Sequence, residues 1–241
     1  MTKPIVRDPI YRRRRFDAEI IELCVRRYIT YRLSSRVLVA MMAERGIVVS
    51  HTTIHRWVIR YVPEFEKRWN RFARPMDTSW RVDETYITIR GKWSYLYRAI
   101  DKHGKTVDFL LRPDRGTAAA QAFFRKALST SLPRRPRKIT LDGHLQSHMA
   151  LRILRREDPK WTYVEVRSNQ YLNNIVEQDH RAIKRRCAAM GGGGFKSFGS
   201  AAITLAGIEL AHRIRKRQFS FGRGRYQNFG SLKQIWDRAL A

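Results

Sequence analysis

The chain has 241 residues, with 49 Lys and Arg against 21 Asp and Glu, which gives a formal net charge of +28. This charge indicates a polyanionic partner, with nucleic acid first, because soluble domains ordinarily carry a net charge of about 2–8. A hydrophobic share of 43% excludes a disordered chain. Because neither a spanning helix of about 18 apolar residues nor a signal peptide is recognisable, we expect a cytoplasmic protein without a membrane or small-molecule partner. A membrane-surface protein ranks lower, since the basic residues are spread along the whole chain.

Three helices are predicted in residues 1–62, an all-α domain. Their start and stop signals, in chain order, are Asp17, Ser34 or Ser35, Gly46, Ser50 and Pro63. The second helix is expected to bury Val37, Leu38, Met41 and Met42, and the third to bury Ile54, Trp57, Val58 and Tyr61. Two short helices around a glycine turn are typical of a helix-turn-helix. The residues expected to face DNA are His51, Thr52, Thr53, His55 and Arg56. An ordinary three-helix bundle fits the same pattern, and the charge favours DNA binding.

The periodicity changes to that of strands after a linker of residues 63–78, which first extends the third helix. Strands are expected at 80–89, 93–100, 106–111, 139–142 and 163–166, with helices at 117–132, 149–156 and 173–190. This order predicts a mixed α/β sheet with helices on both faces, the ribonuclease-H-like architecture, over residues 79–217. Residues 218–241 are expected to form a basic C-terminal tail.

Three carboxylates are expected to meet at one edge of this sheet. Asp83 lies inside the first strand, where burial makes a carboxylate costly. Asp142 ends a short buried strand, and Glu177 lies in the first turns of a helix that returns to the sheet. Such close negative charges would raise one another's pKa unless a divalent cation neutralised them. An all-oxygen ligand set favours Mg²⁺, with Mn²⁺ as a substitute, and two such ions could support phosphoryl transfer on nucleic acid.

Other interpretations of these acidic residues stay open. Taken singly, each could be a surface carboxylate paired with arginine, as could Asp101, and only their joint placement favours an active site. Glu84 and Asp179 compete with their neighbours as ligands, although strand alternation sends Asp83 and Glu84 to opposite sheet faces. Glu177 and His180 also have the spacing of a di-iron helix motif, of which a second copy is missing.

Aromatic and basic residues of the predicted core also have two interpretations. Four aromatic residues could stack on unpaired bases but are more often core on such strands: Trp80, Trp93, Tyr95 and Tyr97. The basic runs at 133–138, 184–186 and 213–217 could be solvated faces or DNA contacts. We favour DNA contacts for the run at 184–186, because it follows Glu177 on one helix.

Several stretches resemble the catalytic core of bacterial DDE transposases. They are residues 82–86, 140–142 and 173–180, followed by Lys184. Asp142 and Glu177 are separated by 34 residues, as in the integrase-like class of these enzymes. The N-terminal part is similar in sequence to insertion-sequence family six, whose members fuse replicons. The matching stretches are residues 15–16, 43–47, 53–58 and 63–64. The loops at 143–144 and 191–194 depart from the family pattern.

The resemblance implies a DNA transposase with Asp83, Asp142 and Glu177 as its metal-binding catalytic triad. Lys184 would contact DNA phosphate, and we add Arg181 and Arg185 as neighbouring DNA contacts. The helix-turn-helix would bind terminal inverted repeats of double-stranded DNA. The core would cut one strand at each end, and the freed 3′-OH would attack target DNA. Holding two ends implies at least a homodimer, acting on the bacterial nucleoid. The alternatives are a non-enzymatic DNA-binding regulator and a nuclease that cuts without joining.

Overall fold

A computed structural model describes residues 8–12, 15–131, 134–142, 145–169, 174–190, 195–221 and 231–240, apart from the side chain of Asn174. Its helices are α1 (Ala18–Thr30), α2 (Ser35–Ala43), α3 (His51–Asn70), α4 (Thr117–Ser131), α5 (Leu145–Glu157), α6 (Asn174–Ala188), α7 (Phe198–Arg215) and α8 (Leu232–Leu240). Its strands are β1 (Ser79–Ile89), β2 (Lys92–Asp101), β3 (Thr106–Arg112), β4 (Lys138–Leu141) and β5 (Glu165–Ser168). No helix within these described ranges has the length and apolar character needed to cross a membrane.

The five strands form one mixed sheet in the order β3-β2-β1-β4-β5. β1, β2 and β3 are antiparallel neighbours, whereas β4 runs parallel to β1 and β5 runs parallel to β4. Gly91 and Gly104 adopt positive φ angles of 74° and 75°, which let the chain reverse between the antiparallel strands. Residues of α4 and α5 pack on one face of the sheet, and residues of α6 and α7 on the other. The predicted ribonuclease-H-like architecture is confirmed.

The three N-terminal helices form where the sequence predicts them. The side chains of Ser34 and Ser50 accept backbone N–H hydrogen bonds of 3.2 and 3.1 Å at the starts of α2 and α3. Gly46 follows α2 with a φ of 70°. Two details differ. The Asp17 side chain makes no capping hydrogen bond, and Val37 is exposed because α2 packs through Leu38 and Met42.

Helix α3 continues through the stop signal Pro63 to Asn70, as expected of a linker that first extends the third helix. A proline inside a helix costs about 3 kcal/mol. Beyond it, Phe65 and Trp69 are fully buried, and each buried aromatic side chain contributes about 1.5–3 kcal/mol. Their burial therefore offsets the lost backbone hydrogen bond.

The segment expected to be a basic tail includes α8. Trp236 of this helix is buried, with its ring centroid 5.1 Å from that of Trp69 and 5.8 Å from that of Phe65. Aromatic burial against α3 thus folds this part of the chain onto the N-terminal helices. The last strand also starts later than expected, at Glu165, and Tyr163 is exposed in the turn before it. The loop departures at 143–144 and 191–194, and Leu132, Pro133 and Asn173 of the predicted elements, lie outside the described residues.

Candidate active site

Asp83 and Asp142 stand side by side where the parallel pairing of β1 with β4 ends, at the carboxyl end of β4. Val82 of β1 pairs with Leu141 of β4, so the two aspartates are the next residues on adjacent strands. The side chain of Asp83 is only 14% exposed, and its Oδ1 accepts a 2.8 Å hydrogen bond from the Glu84 backbone N–H. Burial, followed by the negative charges of Asp142 and Glu177, raises the pKa of Asp83 to about 6. The three predicted carboxylates therefore lie within electrostatic reach of one another.

Helix α6 brings Glu177 to this edge. Val176 and Ile183 are buried and hold the helix against the sheet, while Glu177 remains exposed in its first turn. His180, one turn further, is buried with its Nδ1 3.5 Å from the Asp83 carboxylate. Burial, with the nearby charge of Arg98, lowers the pKa of His180 to about 3, so its ring is neutral near pH 7. His180 thus contacts an acidic residue of the site.

The fit of a metal ion to these carboxylates can be judged from their donors. Among the residues that the structure describes, no three His, Cys, Asp or Glu side chains form a ready-made metal site. The three carboxylates nevertheless offer only oxygen donors, which is the ligand set that Mg²⁺ takes. The mutual repulsion that raises the pKa of Asp83 is also what a bound cation would relieve. The donor chemistry fits a divalent cation that closes the side chains around itself.

A buried ion-pair network that the sequence reasoning missed holds α6 in place. Arg98 of β2 is fully buried and donates to Glu209 of α7 at 2.6 and 3.0 Å, and to Asp179 of α6 at 2.7 Å. Asp179 also accepts a 2.7 Å hydrogen bond from His212 and pairs with Lys216 at 2.6 Å. Although burial opposes it, these partners lower the pKa of Asp179. An arginine inside an apolar strand and a glutamate inside an apolar helix were the available signals.

The competing acidic residues have other roles in the structure. Asp179 belongs to the network around Arg98, two residues along α6 from Glu177. Glu84 is the next residue after Asp83 on β1, and its side chain points to the other face of the sheet, where it pairs with Arg115. Asp101 accepts backbone N–H hydrogen bonds from His103 and Lys105, both of 2.9 Å, and so shapes the turn between β2 and β3. These contacts account for all three within the fold.

The predicted basic contacts of α6 divide into exposed and buried residues. Arg181 and Arg185 are exposed. Lys184 lies seven residues after Glu177 on the same helix face, with its Nζ 4.2 Å from the ring centroid of Tyr86. Arg186 is buried, with its guanidinium 5.0 Å from the ring centroid of Tyr28 in α1. Because Arg186 packs between helices, it is not available to DNA, and only the first two residues of the run at 184–186 remain candidate DNA contacts.

The predicted DNA-facing residues of the helix-turn-helix lie in the first turns of α3. His51, Thr52, His55 and Arg56 are exposed. Thr53 is half-buried, and its hydroxyl lies 2.9 Å from that of Ser50 at the helix start. Four of the five side chains thus face solvent on one end of α3.

The chain is similar in sequence to a DDE domain and to transposases of insertion sequences. A family profile described as a DDE domain matches residues 77–218. The transposase for insertion sequence-like element IS431mec of Staphylococcus aureus is 35% identical over 212 residues, which are 86% of this chain and 89% of that protein. The transposase for insertion sequence element IS257 in transposon Tn4003, also from Staphylococcus aureus, matches with the same identity and coverage. Among solved structures, the HTLV-2 integrase catalytic core domain in complex with magnesium, in its trimeric form, is similar with a TM-score of 0.39 and 15% identity, over 55% of this chain and 85% of that chain.

Proposed function

This chain belongs to the DDE transposases of insertion-sequence family six, which are polynucleotidyl transferases, and we propose that it moves an insertion sequence by cutting and joining DNA strands. In this proposal water cuts one strand at each end of the element, and each freed 3′-OH then attacks a target phosphodiester, from which the target strand's own 3′ oxygen leaves. The observation that carries the proposal is Asp83, whose pKa is raised by burial and then by the charges of Asp142 and Glu177 at one sheet edge. A buried carboxylate beside two others is the arrangement that a divalent cation stabilises.

The catalytic roles follow from the positions of the side chains. Asp83, Asp142 and Glu177 would hold the divalent cation, Mg²⁺ with Mn²⁺ as a substitute. When bound, the metal supplies Lewis-acid stabilisation of the charge that develops on the phosphodiester. The His180 ring lies 3.5 Å from the Asp83 carboxylate and, being neutral near pH 7, adds no positive charge that would compete with the cation.

DNA binding is assigned to two parts of the chain. Residues 1–62 form the proposed end-binding domain, in which His51, Thr52, His55 and Arg56 reach the terminal inverted repeats, with Thr53 at their edge. Residues 63–78 connect it to the catalytic core of residues 79–217. On α6 of that core, Arg181, Lys184 and Arg185 contact phosphates beside the triad, because all three follow Glu177 on one helix. Since two element ends must be held together, the active form is at least a homodimer.

The test is a joining assay with the full chain. Labelled duplexes that carry the inverted repeats flanking its gene are incubated with a supercoiled plasmid and Mg²⁺, and the products are resolved by size. We expect labelled strands joined to the plasmid. Cut ends without joined product would indicate a nuclease, and bound but intact ends would indicate a DNA-binding regulator; either result contradicts the proposal.

A further inference from the structure

Two large aromatic side chains are exposed on the β1–β2 hairpin. Tyr86 is 52% exposed and Trp93 is 58% exposed. Their rings meet edge to face with centroids 4.5 Å apart. Trp80 and Tyr97, on the same two strands, are buried in the core. Of the aromatic residues with two interpretations, these two therefore belong to the core, whereas Trp93 is free to stack on a base. Large exposed aromatic side chains that contact each other mark a surface for a partner.

Positively charged groups flank these rings. The ammonium of Lys184 lies 4.2 Å from the Tyr86 centroid. Tyr95 pairs with Tyr86 across the strands and is half-buried. The guanidinium of Arg115, which also pairs with Glu84, lies 6.0 Å from the Tyr95 ring centroid. Flat rings accept stacked bases, and cations beside them accept phosphates, so this combination is typical of surfaces that bind single-stranded nucleic acid. We call Tyr86, Trp93 and Tyr95, together with the flanking Lys184 and Arg115, the aromatic platform.

The aromatic platform adjoins the catalytic edge. Tyr86 follows Asp83 by three residues on β1, about 10 Å along an extended strand, and by alternation it faces the opposite side of the sheet from Asp83. Lys184 of α6, whose ammonium lies 4.2 Å from the Tyr86 ring centroid, connects the two. Lys184 follows Glu177 by two helical turns, also about 10 Å. β4 pairs with β1 only from Ser79 to Val82, and Phe195 forms a parallel bridge with Ile89 further along, so within the described residues no strand pairs with this side of β1 at Tyr86 itself. The distance corresponds to about three stacked nucleotides of one strand.

We propose that the aromatic platform binds an unpaired nucleotide of the DNA end, about three nucleotides from the phosphodiester that the carboxylates act on. The inference rests on the proposed function, because it takes a DNA end as the substrate. A base that leaves its partner strand would stack on Trp93 and Tyr86, while Lys184 binds the phosphate between that base and the catalytic edge. The platform would thereby open the end of the duplex and present one strand to the catalytic site.

The test compares two duplexes that differ only in whether the last nucleotides of the element end are paired or mismatched. The dissociation constants of the full chain for both are measured by fluorescence anisotropy, for the parent protein and for Trp93→Ala, Trp93→Phe and Tyr163→Ala. Tyr163 is 93% exposed in the turn before β5 and serves as the matched aromatic control. Thermal unfolding of each variant verifies that it is folded.

We expect Trp93→Ala to weaken binding of the mismatched end by about tenfold or more, with a smaller change for the paired end. Trp93→Phe retains a ring and is expected to keep most of the affinity, and Tyr163→Ala to match the parent. Equal binding of the mismatched end by Trp93→Ala and the parent, or equal losses on both duplexes, would overturn the inference. Failure of the parent to join DNA in the plasmid assay would instead refute the proposed function, because the binding comparison does not depend on joining.

Discussion

Asp83→Asn is expected to stabilise the metal-free protein at neutral pH. Burial, with the charges of Asp142 and Glu177, raises the pKa of Asp83 from 3.8 to about 6. At about 1.4 kcal/mol per pKa unit, the ionised carboxylate costs the folded state about 3 kcal/mol above pH 6. Asparagine removes the charge and keeps an oxygen for the 2.8 Å hydrogen bond from the Glu84 N–H. The variant should therefore have the larger free energy of unfolding.

The pH dependence gives this prediction its sign. Because the pKa of Asp83 is higher in the folded than in the unfolded chain, the folded state binds more protons between pH 4 and 6. The contribution of Asp83 to the free energy of unfolding therefore falls as pH rises from about 4 to about 6 and is constant above that. Asp83→Asn removes this pH-dependent loss of stability. The difference in the free energy of unfolding between variant and parent therefore grows as the pH rises from about 4 to about 6.

Urea unfolding in chelator-treated buffers from pH 4 to pH 8 measures this difference. Asp114→Asn, at an exposed carboxylate, is the matched control and should leave the curve unchanged. Added Mg²⁺ should raise the stability of the parent more than that of Asp83→Asn, because only the parent keeps the full set of carboxylates. An Asp83→Asn protein that is no more stable than the parent at pH 7.5 would refute the reasoning.

Two further predictions concern the packing around the site, and urea unfolding measures both. Arg98→Met is expected to cost about 3–5 kcal/mol, because it leaves the fully buried Glu209 without its cation and removes one of the cations that pair with Asp179. Lys102→Met, at an exposed ion pair, should cost less than about 1 kcal/mol, and equal losses would contradict the role of burial. Gly207→Ala should destabilise by about 1–3 kcal/mol, because the added methyl would lie 2.7 Å from a buried isoleucine of α1. Gly199→Ala, on the same helix in open space, should not destabilise, and an unchanged stability of Gly207→Ala would show that α1 and α3 can shift away from α7.

The sheet and the position of its carboxylates could be predicted from the sequence because their signals are local. The hairpin between β1 and β2 follows from strand-forming residues on both sides of Gly91. Asp83 and Asp142 meet because each follows a buried strand residue, and two neighbouring parallel strands bring those positions together. Alternation along β1 was also sufficient to separate Asp83 from Glu84.

The differences arise where distant parts of the chain decide a residue's environment. Pro63 is a local stop signal, but the aromatic residues beyond it pack against α8, which the sequence assigned to a tail. Arg98 looks like a solvent-facing residue of a strand until Glu209, more than a hundred residues later, is folded onto it. Arg186 belongs to a basic run by sequence, yet α1 covers it. A local pattern can mark such a residue as unusual, but it does not show which distant residue will contact it.

The central claim is that the carboxylates at the sheet edge perform the DNA strand transfer, and Asp142→Asn tests it most directly. The variant and the Asp114→Asn control are compared with the parent in the plasmid joining assay, and binding of the element end is measured in parallel. We predict that Asp142→Asn binds the end with the parent's affinity and yields no Mg²⁺-dependent joined product, while the control joins normally. Joined product from Asp142→Asn at the parent's level would contradict the account.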